Sequence, residues 1–374
     1  MSGGDTTLNR ILMIMTGGIR GDGISITQLE YMRHIDKSEM CFDVLAVYNN
    51  DQSVIEEYKK SNCNVIVMPS RIKHFFKYVY ELCKLIKSNH YKAIHVHGSS
   101  TMMGIELTVA KMFSIPVRIA HSRNTYTKHP AIDFLLRPIF NHSYTHALAC
   151  GKEAGAFLFK NKSFNVFYNG KDFDKFRFNQ EVRNEVRNRF DLNNKIVLGF
   201  VGTIHEQKNP FFLIDIISKL LNKNKQVVLM IIGSGKMEQE VKQYAKELGC
   251  DSAIIFVGKS SEVNNLIQGC DLMLLPSLYE GLPNVVLEWQ IAGVPSLVSD
   301  KVTTECKQSE LVRFLPIDKG ADIWVDTILE YGENNGAAVQ SKNACKKMLK
   351  AGFEINKSCE RLRSLYIKGV LTNE

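Results

Sequence analysis

The stretch "KIVLGFVGTIHEQKNPFFLIDIISKLLN" (residues 195–222) decides the fold. "IVLGFV" is a short continuous apolar run closed by a glycine turn, which reads as a strand buried on both faces. "PFFLIDIISKLLN" has helical spacing of its apolar residues. Asn209 suits the cap of that helix and Pro210 its first position. Working forward, the pattern recurs. "VVLMIIGSG", "AIIFVG", "DLMLLP" and "PSLVSD" read as strands. "MEQEVKQYAKELG", "EVNNLIQG" and "PNVVLEWQIAG" read as the helices between them.

Working backward, the same alternation fills the first half. "RILMIMTGG", "FDVLAVY", "NVIVMP", "AIHVHG" and "PVRIAHS" are strands, separated by helices such as "ISITQLEYMRHI" and "IKHFFKYVYELCKLIKS". Strand–helix alternation with apolar strands predicts parallel sheets covered on both faces. The chain thus reads as two doubly wound α/β domains, 1–178 and 195–345. The polar stretch 179–194 is expected as a linker, and 346–374 as basic helices packing back on the first domain. Ligands of such sheets bind beyond the carboxyl ends of the strands, so the expected site is a cleft between the two domains.

Composition sets the limits. The 374 residues are 45% hydrophobic and 23% charged, an ordinary globular balance with material for two cores. Only the ends, such as "MSGGDTTLNR", read as candidates for disorder. No apolar run approaches the roughly 20 residues of a membrane span, and no signal peptide is legible. The nine cysteines form no CxxC pairs, which argues against a disulfide framework or zinc knuckle and favours a reducing cytosol. The formal charge of +8 is uneven: residues 1–190 hold 26 Lys and Arg against 17 Asp and Glu. A basic half suits an anionic partner such as lipid headgroups, a phosphorylated acceptor or nucleic acid, although a merely soluble basic surface is an equal reading.

Several residues stand where chemistry is expected. The turns "TGGIRGDG" (with Gly17 and Gly18), "VGT" (ending at Thr203) and "GSG" follow strands, where a phosphate can meet backbone N–H groups. None has the dinucleotide-binding spacing, which disfavours a nicotinamide-dependent oxidoreductase. A lone "GSG" is more often a plain turn. Most lysines are solvated surface groups, but Lys208 lies just past a strand end, where its ammonium reaches a cleft. His97, His121 and Arg123 also lie at strand ends, and the two histidines are expected on a cleft rim. His95 reads as a satisfied core residue. With no third ligand at suitable spacing, a metal site is not expected.

"PSLYEGLPNVVLEWQ" (Pro276–Gln290) carries two acids, Glu280 and Glu288, with seven residues between them. Pro283 suits the first helical turn, so Glu280 belongs to the loop and Glu288 to the helix. A paired-carboxylate glycosidase dyad is disfavoured, because one acid is loop-borne and the other buried on a helix. Glu288, in an apolar run, needs a partner to offset its burial; the hydroxyls of a ribose would serve.

With these motifs the chain resembles family 4 glycosyltransferases of the GT-B fold, in particular members making bacterial capsule or exopolysaccharide. The E-x7-E spacing of Glu280 and Glu288 is the most specific marker. "VGTIHEQKNP", "FYNGKDFDKF", "IAHSRNT" and "ALACGKEAGAFLF" add to it, so the likeness spans nearly the whole chain. The resemblance implies a retaining hexosyl transfer from a UDP- or GDP-sugar to a lipid-linked or other saccharide acceptor. It gives Lys208 the donor diphosphate and Glu288 the ribose. Glu280 takes the donor sugar, with the backbone of Gly281 and Leu282. Gly17 and Gly18 would close on the phosphates, and His121 would lie near sugar and acceptor. His97, Arg123, Asn169 and Gly170 would line the cleft, and Gly258 and Val263 the base.

It also implies no metal cofactor and no nucleic-acid partner. The expected location is the cytoplasm, with peripheral attachment to the cytoplasmic face of the inner membrane through the basic half as an option. Two departures stand out. Thr203 occupies the position where the family commonly has an arginine, which leaves a catalytically weakened binding or scaffold protein as the alternative. Lys171 stands where the family has an isoleucine, a departure of less weight because that isoleucine is not a chemical group. On helix 71–87, Ile72, Phe75, Phe76, Val79, Leu82, Cys83 and Ile86 are expected to face the core. Arg71, Lys73, Lys77, Lys84 and Lys87 would meet anionic lipid.

Overall fold

A computed structural model describes residues 8–47, 50–127, 130–223, 226–331 and 336–372. Most of the polar start lies outside the described residues. The chain forms two compact units, one of residues 1–170 and 352–374, the other of residues 171–351.

The first unit is built on one all-parallel sheet. Its strands are β1 (Asn9–Met15), β2 (Met40–Ala46), β3 (Cys63–Val67), β4 (Ala93–Gly98), β5 (Val117–Ser122), β6 (His146–Ala149) and β7 (Asn165–Val166). They lie in the order β3-β2-β1-β4-β5-β6-β7. Along β1 the side chains alternate between two cores. Ile11, Met13 and Met15 join one cluster, with Leu29, Tyr31, Leu362 and Tyr366. Leu12 and Ile14 join the other, with Tyr78, Leu82, Leu107 and Phe140. This two-residue period on a strand buried on both faces is why the strands read as unbroken apolar runs.

The second unit has six parallel strands. They are β8 (Ile196–Val201), β9 (Val227–Ile232), β10 (Ile254–Gly258), β11 (Leu272–Leu275), β12 (Ser296–Ser299) and β13 (Val312–Leu315), ordered β10-β9-β8-β11-β12-β13. Trp289 and Trp324 are fully buried in its core. In both sheets the strand order reverses at one place, between β1 and β4 and between β8 and β11. Crevices for ligands open beyond the carboxyl ends of such strands.

The domain limits differ from those expected. The units divide at Gly170 and Lys171, and the presumed linker 179–194 contains a helix, Gln180–Arg189, inside the second unit. Arg183 and Arg187 of this helix are buried. They pair with Asp271 at 2.5 and 3.1 Å and donate to the carbonyls of Gln268, Gly269 and Cys270. Asp271 also accepts from the Val197 amide at 2.8 Å. Buried charge satisfied by charge and backbone gives a segment that reads as solvated linker. At the C-terminus, helix Ala337–Lys350 belongs to the second unit, and only helix Ile355–Lys368 returns to the first.

The apolar stripe of helix Phe75–Asn89 is only half as expected. Tyr78, Leu82 and Ile86 face the core, whereas Phe76 is 86% and Ile72 71% exposed.

Candidate active site

In the second unit, the chain leaves β8 at Val201 and β11 at Leu275, at the reversal of strand order. The exit from β8 runs through Gly202 and Thr203 into the short turn Glu206–Lys208. A side chain at Gly202 would come within 3.3 Å of Lys208 Cε, so the lysine stem lies across a bare backbone. The exit from β11 is tied to this turn. Leu278 N donates to the Gln207 carbonyl at 2.8 Å, and Gln207 Nε2 to the Tyr279 carbonyl at 2.9 Å. The two loops thereby place Lys208 Nζ 2.6 Å from Glu280 Oε1, with both side chains mostly buried.

The "GSG" turn serves this construction. Gly233 has φ +137°, and a Cβ there would lie 2.0 Å from the Gly202 carbonyl oxygen. A Cβ on Gly235 would lie 2.1 Å from the Ile204 carbonyl oxygen. Both glycines let the β9 exit pack flat against the β8 exit, in agreement with the plain-turn reading. His205, beside the Lys208 turn, was not singled out from the sequence. Burial pushes its pKa down, Lys208 lowers it further, and Glu280 opposes both.

Glu288 lies on helix Asn284–Ile291, which starts one residue after Pro283 rather than at it. Its partner is Lys171, whose Nζ donates to Glu288 Oε1 at 2.6 Å. Lys171 therefore offsets the burial of the second acid of the motif. Gly281 is half-buried and Leu282 buried, immediately before that helix, and Thr203 is exposed. Gly258 ends β10 with φ +78°, and Val263 opens the short helix Val263–Leu266.

In the first unit, Gly18 has φ +87° and closes a turn by donating to the Met15 carbonyl at 3.0 Å, while Gly17 is exposed. The following helix, Gly23–His34, is capped by Asp22, which accepts from the Ser25 amide.

The histidines depart from the expected rim. His97 and His121 are each 1% exposed. His95 Nε2 is 3.0 Å from His121 Nδ1, and His95 Nδ1 is 2.7 Å from the Tyr366 hydroxyl on the returning C-terminal helix. The Phe167 ring stands edge-on to His121 with centroids 6.0 Å apart. Arg123 donates to His97 Nδ1 at 3.0 Å and to Asn169 Oδ1 at 2.6 Å. The Arg123 guanidinium is thus engaged inside its own unit. Gly170 N donates to the Tyr31 hydroxyl at 2.7 Å, and a Cβ at Gly170 would lie 2.9 Å from Ile355 Cα. Close approach of the C-terminal helix therefore needs a glycine there.

His95, His97 and His121 can each bring one ring nitrogen within 4.8 Å of the others, so the third histidine missing from the sequence reading is His95. The chemistry of the group is that of a hydrogen-bonded network rather than a cation cage. Arginine only donates, so His97 Nδ1 accepts and its proton lies on Nε2, the atom a metal would need bare. Burial lowers the pKa of all three rings well below the ordinary value, and the Arg123 charge lowers them further.

Comparisons with known proteins agree with this architecture. Residues 182–310 match the family described as "Glycosyl transferases group 1". The putative glycosyltransferase EpsF of Bacillus subtilis is 28% identical over 339 residues, covering 87% of this chain and 88% of that protein. An Escherichia coli protein is 25% identical over 319 residues, 79% of this chain and 80% of its own. It is named UDP-Gal:alpha-D-GlcNAc-diphosphoundecaprenol alpha-1,3-galactosyltransferase. Among solved structures, Anabaena HepE in complex with UDP superposes with a TM-score of 0.78 at 15% identity, over 96% of this chain and all of that one. The chain has the GT-B fold, and its residues 182–310 are similar to the glycosyl transferases group 1 family.

Proposed function

We propose that this protein is a retaining hexosyltransferase, of the family 4 kind, that moves a sugar from a UDP- or GDP-sugar to a lipid-linked saccharide acceptor in surface polysaccharide synthesis. The observation that carries the reading is the Lys208–Glu280 pair at the junction of the β8 and β11 exits. The relative that acts on a diphosphoundecaprenol-linked sugar supports the acceptor class, and HepE bound to UDP-glucose supports the donor class.

In this reading the bond between the sugar's anomeric carbon and the donor diphosphate breaks, and a bond to the acceptor oxygen forms on the same face. The proton of the acceptor hydroxyl passes to a leaving phosphate oxygen. Negative charge develops on the diphosphate, and Lys208 with the Gly281 and Leu282 amides stabilises it there. Glu280, held by Lys208, faces the donor sugar. Glu288, oriented by Lys171, takes the ribose hydroxyls. Gly258 and Val263 serve the base, and the turn of exposed Gly17 and buried Gly18 serves the phosphates. The buried His97, His121, Arg123 and Asn169 network shapes the first unit's strand exits. No step calls for a metal ion, so activity is expected to survive chelator.

A second reading is a nucleotide-sugar binder with weakened turnover, favoured by the exposed Thr203 where an arginine is common. Calorimetry with UDP and GDP followed by a donor turnover assay separates the two. Binding with turnover supports the transferase. Binding without turnover across donors and acceptors supports the binder.

A further inference from the structure

Lys171 and Glu288 stand on two separately fastened pieces of the second unit. Asp172, the residue after the lysine, caps the short helix Phe173–Phe176 by accepting from the Asp174 and Lys175 amides. Phe173 and Phe176 are buried, and this helix packs on helix Asn284–Ile291, which carries Glu288. That second helix is fixed in turn by Gln290. Its Nε2 donates to the Val286 and Cys306 carbonyls at 2.9 and 2.8 Å. Its Oε1 accepts from the Gln308 amide at 2.9 Å and the Ser309 hydroxyl at 3.0 Å. Trp289, beside Glu288, is fully buried. Charged groups on supports of this kind are held in place before any ligand arrives.

The pair they hold uses only part of its hydrogen-bonding capacity. Lys171 Nζ donates to Glu288 Oε1 at 2.6 Å, and the lysine side chain is 8% exposed. An ammonium has three N–H donors and no acceptor, whereas a carboxylate has two accepting oxygens and no donor. Among the described residues, Glu288 Oε1 is the one acceptor that meets Nζ, and no donor meets Glu288 Oε2. A buried N–H left without an acceptor costs about as much as a lost hydrogen bond. The pair is balanced in charge, so the ligand that completes it is a neutral polar group rather than a further anion.

We infer that Lys171 binds the donor's ribose directly, donating to the oxygen of one ribose hydroxyl while Glu288 Oε2 accepts the proton of the other. A vicinal diol fits a donor and an acceptor set side by side, because each hydroxyl can give a proton or receive one. A carboxylate alone would need both hydroxyls to donate to it. Here Oε1 is already taken by the ammonium, so the acid has one oxygen left and the lysine supplies the other contact. The two hydroxyls are then read by different chemistry: one must donate, the other must accept. This inference rests on the reading of Glu288 as the ribose acid, and it adds a second residue with its own hydroxyl.

The test is calorimetric titration of the full chain with UDP and GDP and with their 2′-deoxy, 3′-deoxy, 2′-fluoro and 3′-fluoro forms. Wild type should lose affinity roughly 10- to 100-fold when either hydroxyl is removed, the scale of a hydrogen bond to a charged group. Lys171→Met should blunt the loss at one hydroxyl and Glu288→Gln the loss at the other, while Lys171→Arg keeps both. Circular dichroism shows that each variant is folded. The fluoro forms need no variant. Fluorine accepts weakly and cannot donate, so on wild type it should cost less at the hydroxyl read by Lys171 than at the one read by Glu288. A lysine that only orients the acid predicts that Lys171→Met and Glu288→Gln blunt the same hydroxyl, and that result overturns the proposal. So do a Lys171→Met variant that keeps both losses, and equal losses for the two fluoro forms. Nucleotide binding that ignores both hydroxyls removes the ribose role of Glu288 as well. Absence of nucleotide binding removes the donor reading itself, so the three failures are distinguishable.

Discussion

Lys171 Nζ lies 2.6 Å from Glu288 Oε1, with side chains only 8% and 15% exposed. The first residue of the second unit is thereby fastened to the second acid of the E-x7-E pair. Removing the lysine leaves a largely buried carboxylate without its cation. Lys171→Met should destabilise the second unit by about 3 kcal/mol in urea unfolding. It should also weaken UDP binding, and Lys171→Arg should restore most of both. A double-mutant cycle with Glu288→Gln that shows no coupling would refute the pairing.

Lys208 and Glu280 are proposed to act on the donor. Lys208→Ala should lower kcat by about 10²–10³-fold, the scale of one lost charge-stabilising donor. Glu280→Gln, which keeps the shape and removes the charge, should lower turnover with UDP affinity less affected. Steady-state kinetics with the active donor decide this, and unchanged kcat in both variants would end the site assignment.

Gly233 is needed for geometry rather than ligand contact. A Cβ there would sit 2.0 Å from the Gly202 carbonyl oxygen at φ +137°. Gly233→Ala should therefore cost more than about 2 kcal/mol and displace the Lys208 turn. Thermal unfolding together with UDP titration reads both effects.

Asp271 holds two buried arginines. Asp271→Ala should lose about 3–5 kcal/mol, because it strands Arg183 and Arg187 without their anion. Denaturation that barely changes would show that the helix Gln180–Arg189 is attached by other means.

The buried histidines set a pH dependence. His95, His97 and His121 have pKa values well below 6.5 in the folded protein, from burial first. The unfolded chain then binds more protons once the pH falls below about 6.5, so stability declines on acidification. Each ring contributes up to about 1.4 kcal/mol per pH unit in that window. Urea unfolding between pH 7.5 and pH 5 should show this slope, reduced in His121→Asn. An identical slope in the variant would deny the effect.

The strand–helix alternation was legible because a strand covered on both faces must be apolar throughout, as β1 and β8 are. Lys208, Glu280 and Glu288 were legible because strand exits and a motif spacing are local features. Two things were not. The helix Gln180–Arg189 looks like a linker because its burial is carried by arginines, and only Asp271, far along the chain, reveals it. The exposure of Ile72 and Phe76 was hidden because an apolar residue at helical spacing says nothing about which side the sheet lies on.

The sequence by itself determined two α/β sheets and the residues at their strand exits, since those follow from local periodicity and turn chemistry. Tertiary structure alone decided the partners. It set Lys171 on Glu288, Lys208 on Glu280, and His97, His121 and Arg123 inside their unit. Hydrogen bonds and ion pairs join atoms that are close in space, and a folded sheet brings together residues that are tens to hundreds of positions apart.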